Sequence, residues 1–239
     1  MILDIDHIGF STTLNLKPYI EFFKRLDYED SFHEKNIQNL PSKKYYMKNF
    51  VLNHDLCLLN SKHYINIELI KYEKINNSKG FVTPIFNFSK KSSKKFEIKS
   101  NLNDLKIPYF HKETNENFFI FSNFLIESSD IKKSETFWRK LGFRKSNFEK
   151  NYYEFESILS SKKYQLLLKY NPQQKKHFLD DDCWNSIAFL TNSIEKEKEK
   201  FQNEYQTSEI EILEINNKKL KICFIKGPSA ELIELISIN

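Results

Sequence analysis

Glycine is scarce in this chain, four residues in 239. They stand at Gly9, Gly80, Gly142 and Gly227, too far apart to build the glycine-rich loop that cradles a dinucleotide or a phosphate. No G-x-S-x-G elbow occurs, which removes the strained strand-to-helix serine nucleophile. Cysteine numbers three, Cys57, Cys183 and Cys223, with no C-x-x-C pair, and this argues against both a disulfide framework and a structural zinc site. Cys57 in "LCLL" and Cys223 in "KICFI" lie in apolar runs, where cysteine acts as a small hydrophobe. No run approaches 18 apolar residues, so no membrane span is expected. The N-terminus shows no basic segment followed by a long apolar stretch, and the expectation is a cytoplasmic protein without a signal peptide.

A charge excess of one sign is also missing. The net charge of +5 comes from 37 basic and 32 acidic residues mixed along the chain. The densest basic run, "SKKSSKKFEIK" at 89–99, is short and includes Glu97, so it reads as a solvated loop or edge rather than a phosphate-binding stripe. Nucleic acid is not an expected partner. What the chain does have is aromatic mass, 22 Phe and 12 Tyr, and enough length to form one large domain or two of about 120 residues.

Internal repeats organise the rest. "FFKRLDY" at 22–28 recurs as "FWRKLGF" at 137–143, each the end of a short amphipathic helix that breaks into a strand. In the first, Tyr19, Phe23 and Leu26 share a face and Pro18 suits the opening turn. In the second, Ser129 or Asp130 can cap the start, Phe137, Trp138 and Leu141 face inward, and Gly142 fits the C-terminal turn. "ELIKY" at 68–72 matches "LLLKY" at 166–170, "NIELI" at 66–70 matches "LIELI" at 232–236, and "HIGFST" at 7–12 echoes "SIAFLT" at 186–191.

The chain therefore reads as βαβββ units. Unit one covers 2–73, with a strand at 4–11, a helix at 16–27 and strands near 43–51, 54–60 and 64–72. Unit three runs from about 119 to 170. Unit four, about 184–238, has the charged helix "SIEKEKEKFQNEY" with Ile194, Phe201 and Tyr205 as apolar contacts. Between units one and three lies a shortened second unit, about 80–118, whose helix in "SSKKFEIKSNLNDL" looks poorly formed. Polar, turn-rich linkers fall at 74–80 and 171–182. The expected fold class is α+β, tandem βαβββ units forming two curled mixed β-sheets with helices packed outside. The expected domains are 1–120 and 121–239.

"DHIGFST" with its following helix, "INIELI", and above all "FIKGPSAELIELISI" at 224–238 resemble the vicinal-oxygen-chelate superfamily, which includes glyoxalase I, extradiol dioxygenases and the bleomycin-resistance proteins. The resemblance covers nearly the whole chain. It implies that paired units curl around a cavity and hold a divalent metal ion (Fe, Mn, Co, Ni or Zn) through the first and last strands of each unit. Carried over, His7 is the first-strand ligand of unit one and Glu68 its last-strand ligand. Strand alternation puts Asn66 on the face of Glu68, with Ile65, Ile67 and Leu69 opposite. A carboxylate inside an apolar strand must be paired, hydrated or bound to a cation.

The remaining family positions depart from the pattern. Unit two offers Pro84 or Ile85, unit three Ser122 or Asn123 and Leu166, unit four Ser186 and Glu234. A third ligand is sought among His54, His63 and His111, with His111 in "YFHKE" preferred. His33, His177 and the run Asp180 to Asp182 read as solvated. The expected site is then His7, Glu68 and His111 for the metal, Glu68 for proton transfer and Asn66 for substrate. It implies a metal-dependent isomerase, lyase or dioxygenase acting on a small oxygenated metabolite. The alternative is a metal-free protein that binds a small molecule in an aromatic cavity. The C-terminal half, Glu234 included, is expected to be structural or to support a homodimer.

Overall fold

The sequence ILDIDHIGFST forms β1 (Ile2–Thr12), buried on both faces along its second half, and a strand with no wet face belongs inside a sheet. The computed structural model describes residues 1–76, 80–89, 95–114, 120–147, 151–160, 162–215 and 218–238. After β1, α1 (Lys17–Lys24) takes Pro18 in its first turn and buries Tyr19, Ile20, Phe22 and Phe23. Unit one then continues through β2 (Glu29–Gln38), β3 (Asn53–Asn60) and β4 (Asn66–Lys71). The strand expected over 43–51 does not form. Its role falls to β2, an edge strand exposed along most of its length, which has no apolar alternation to reveal it. Residues Pro41–Tyr45 form a 3-10 turn instead.

Unit two contributes β5 (Val82–Ser89), α2 (Lys95–Asp104) and β6 (Phe110–Thr114). Contrary to expectation, α2 is a regular ten-residue helix. Leu102 is fully buried and Ile98 and Leu105 pack on the core, so tertiary burial overrides a weak local pattern. The unit is short in strands. Unit three is complete: β7 (Ile120–Ser128), α3 (Ile131–Lys140), β8 (Arg144–Asn147), β9 (Tyr152–Glu156) and β10 (Lys163–Tyr170). Asp130 caps α3 by accepting from the Lys133 N–H at 3.1 Å, and Gly142 follows it with φ of 98°, a left-handed exit that suits glycine. Unit four comprises β11 (Trp184–Thr191), α4 (Ile194–Glu199), β12 (Gln206–Thr207), β13 (Glu211–Ile215), β14 (Lys218–Lys226) and β15 (Leu232–Ile238). Its helix is shorter than the charged run suggests.

The α+β class and the two mixed sheets stand as expected. Among the described residues nine strands form one sheet in the order β12-β14-β15-β11-β1-β4-β3-β2, with β13 on β14, and six form the other, β6-β5-β7-β10-β9-β8. The first sheet joins unit one to unit four and the second joins unit two to unit three. This pairing does not follow a division into 1–120 and 121–239. Its seam is the antiparallel match of β1 with β11, in which Gly9 lies opposite Ser186. A Cβ at Gly9 would collide with Ser186 Oγ, so a side chain there would have to push that hydroxyl aside. The two sheets share one apolar core, where Trp184 meets Phe10 and Phe23 and Trp138 meets Phe124, Phe137 and Phe143.

The linker 171–182 is packed rather than solvated. Asp180 and Asp181 are fully buried and His177 nearly so. Asp180 accepts from the backbone N–H groups of Lys48 and Asn49, and Asp181 accepts from Asn76 and from the Phe178 N–H. These aspartates tie loops of unit one to unit four, which explains their burial without a cation. Residues 77–79 of the other linker, 90–94 of the basic run and 117–119 before β7 lie outside the described residues. Among the described residues no helix is long and apolar enough to cross a membrane. All three cysteines are free and buried.

Candidate metal centre

The pairing of units one and four decides which side chains meet. In the parallel match of β1 with β4, His7 lies opposite Asn66 and Gly9 opposite Glu68. In the parallel match of β11 with β15, Ala188 lies opposite Glu234. Because His7 is in turn opposite Ala188 across the seam, Glu68 and Glu234 converge on the imidazole from two sides. His7, Glu68 and Glu234 each present a ligand atom, all within 4.8 Å of one another. His7 and Glu234 are 4% and 7% exposed.

The ring of His7 is held from behind. Its Nδ1 lies 2.8 Å from Asp6 Oδ2, so an Nδ1–H donates to that carboxylate and Nε2 faces the cluster. Nε2 is 3.4 Å from Glu68 Oε2, yet it is buried and makes no well-formed hydrogen bond. Burial opposes charge on His7, but Glu68 and Asp6 outweigh it and hold the imidazole well above its ordinary pKa. Burial likewise pushes Glu68 up, while His7, Lys43 and His54 pull it down to about 2. For Glu234, burial and then the charge of Glu68 win, raising it to about 7. Two buried carboxylates beside one imidazole share too little positive charge. One imidazole and two carboxylates are a donor set that suits a divalent transition metal with positions left open, and Nε2, without a well-formed hydrogen bond, faces the place where it would sit.

The cluster faces a cavity of about 330 Å³. Its walls are aliphatic: Leu40, Leu56, Leu58, Leu213, Leu220 and Ile236 all line it, with Phe32 adding a ring. The aromatic excess of the sequence sits in the core and not in this cavity. Besides the cluster, the polar residues on the walls are Asp6, Ser31, Gln38, Lys43, His54 and Lys218. Burial and the nearby Lys43 lower the His54 pKa to about 3, so the ring is neutral, and its buried Nδ1 lacks a hydrogen-bond partner.

The structure brings together only part of the expected site. His7 and Glu68 meet as the resemblance implied. His111 does not join them: it is on β6 in the other sheet, exposed, with its ring near Phe88 and Tyr109. Asn66 does not line the cavity. Its amide is spent on the backbone, donating to Asp6 O at 2.8 Å and accepting from the Ser61 N–H at 3.1 Å. His63 is exposed, and His54 lines the cavity. Glu234, assigned to a structural half, is the third member of the cluster. Its strand carried the same signature as Glu68, but only the pairing of distant units reveals that the two share one site.

No protein-family model matches the sequence, and no curated protein matches it. Solved structures do match its shape. Glyoxalase I from Zea mays superposes with a TM-score of 0.59 at 12% identity, over 98% of this chain and 92% of that one. A "putative dioxygenase" from Bacillus subtilis subsp. subtilis str. 168 superposes with a TM-score of 0.62 at 11% identity, over 99% and 85%. The chain has the vicinal-oxygen-chelate fold. Both likenesses span all four units, so the short second unit is a variation within the vicinal-oxygen-chelate architecture and not a sign of another fold.

Proposed function

We propose that the cavity between units one and four is a metal-dependent enzyme site, with one divalent cation held by His7, Glu68 and Glu234. The reaction class is isomerase, lyase or dioxygenase, on a small oxygenated metabolite. The observation that carries this reading is the convergence of three ligand atoms within 4.8 Å, around a buried imidazole nitrogen that makes no well-formed hydrogen bond. A bound cation supplies Lewis acidity toward two adjacent oxygens of the substrate. The chain's own groups do the rest. Asp6 fixes the His7 tautomer, and the aliphatic walls exclude water and strengthen every charge interaction inside. Neutral His54 adds a polar ring to the cavity wall.

Protein loaded with Mn²⁺ tests this reading. Three protein ligands leave room for exchangeable water, so the complex should enhance water-proton relaxation above free Mn²⁺. A tightly bound ion with no such enhancement would make the site structural, not catalytic.

The aliphatic lining also favours a second reading, a metal-free binder of a small organic molecule. Under it, His7→Ala and Glu68→Ala leave ligand binding intact and chelators have no effect. Ligand binding that needs added metal in the wild type, and cannot be restored by metal in His7→Ala, rejects it.

A further inference from the structure

Lys43 has a role that the metal cluster does not account for. It sits on the 3-10 turn Pro41–Tyr45 and is 9% exposed. Lysines so buried are almost always paired. Among the described residues no carboxylate oxygen lies within ion-pair distance of its Nζ, and the partner it has is the face of Phe224, 5.7 Å from the ring centroid. The turn that carries it is pinned across the cavity from unit one to unit four. Ser42 hydrogen-bonds the Glu211 carboxylate on β13, and Tyr46 donates to Phe224 O on β14 at 3.2 Å. The ammonium is thus held on the cavity wall by a scaffold that leaves its charge unmatched.

The charges that line the cavity say what would match it. Glu68 and Glu234 face Lys43, with Asp6 behind His7 and Lys218 exposed, so with His7 in the neutral form that ligates a metal these three inner charges sum to one negative. A divalent cation at the cluster would make the sum one positive charge, in an apolar enclosure where an unbalanced charge is costly. A singly charged anion restores neutrality. The volume of about 330 Å³ is at the small end for ligand pockets, and the aliphatic walls suit an apolar body. Lys43 also acts on the cluster, since its field favours the ionised forms of both Glu68 and Glu234.

Building on the reading of this cavity as a metal site, we propose that Lys43 is its anion anchor and that the occupant is a small monocarboxylate with an apolar body, its carboxylate paired with Lys43 Nζ. Matched pairs of acids and neutral amides test this: phenylacetate with phenylacetamide, mandelate with mandelamide, and benzoate with benzamide, titrated calorimetrically into Mn²⁺-treated protein. At least one acid should bind the wild type about tenfold or more tightly than its amide. Lys43→Met should abolish that preference, and Lys43→Arg should keep most of it. The absence of any acid-over-amide preference, or one undiminished in Lys43→Met, would overturn the proposal. Mn²⁺ affinity measured on the same samples separates the two readings. A Lys43-dependent preference without metal binding would sink the metal site alone, and metal binding without the preference would sink the anchor alone.

Discussion

Glu68 and Glu234 come from the last strands of units one and four, yet their carboxylates stand within 4.8 Å of each other on either side of His7. Two buried like charges so close disfavour each other's ionisation. In the absence of metal, Glu234→Gln should therefore leave thermal stability unchanged or raise it. The same variant should lose the stabilisation that added Mn²⁺ or Co²⁺ gives the wild type. At a hundredfold excess over Kd that stabilisation amounts to about 2.7 kcal/mol. Differential scanning fluorimetry with and without metal reads both effects, and a Glu234→Gln protein that keeps the full metal-dependent shift would put the ligand elsewhere.

Asp6 orients the His7 ring through the 2.8 Å contact at Nδ1 without lying in the cluster itself. Asp6→Asn should weaken metal affinity by roughly 10- to 100-fold, the usual cost of losing a carboxylate behind a ligating histidine. Competition against a fluorescent chelator measures it. An unchanged affinity would show that the ring needs no such support.

The seam between units one and four rests on Gly9 against Ser186. Gly9→Ala should destabilise the fold by about 1–3 kcal/mol, the range for overpacking a tight site. Adding Ser186→Gly should recover part of that loss, because the clash is pairwise. Urea denaturation of the two single variants and the double variant closes the cycle. Simple additivity would contradict the packing described.

His54 gives a signed pH dependence. Its pKa is about 3 in the folded protein against about 6.5 in an unfolded chain. Between these values the unfolded chain binds the extra proton, so the stability His54 allows above pH 6.5 is lost as the pH falls. His7 works the other way, since its raised pKa adds stability at low pH that is lost as the pH rises. The difference between wild type and His54→Gln isolates the first effect. Relative to the variant, the wild type should lose at most about 3 kcal/mol between pH 7 and pH 4. Parallel stability curves would mean that His54 is hydrated.

How much of this was legible in the sequence follows from the range of each interaction. His7 and Glu68 could be read from "DHIGFST" and "INIELI", because both lie on strands whose alternation and repeats are local. Glu234 lay on an equally clear strand, but its partner depends on β1 closing against β11, a contact that no periodicity encodes. Lys43 and β2 were missed for a different reason. "EDSFHEKNIQ" is an edge with both faces mostly wet, and "PSKKY" is a turn, so neither shows a hydrophobic period. The buried Asp180, Asp181 and His177 looked like a solvated linker, since composition cannot tell a polar loop in water from one that supplies acceptors to buried N–H groups.

The most direct test is metal stoichiometry by inductively coupled plasma mass spectrometry after reconstitution with Fe, Mn, Co, Ni or Zn and removal of excess ion. The account expects close to one equivalent of at least one of these metals per chain, falling to background in His7→Ala and in Glu68→Ala. Less than about 0.2 equivalents of every metal in the folded wild type, or full occupancy that survives both substitutions, would contradict it.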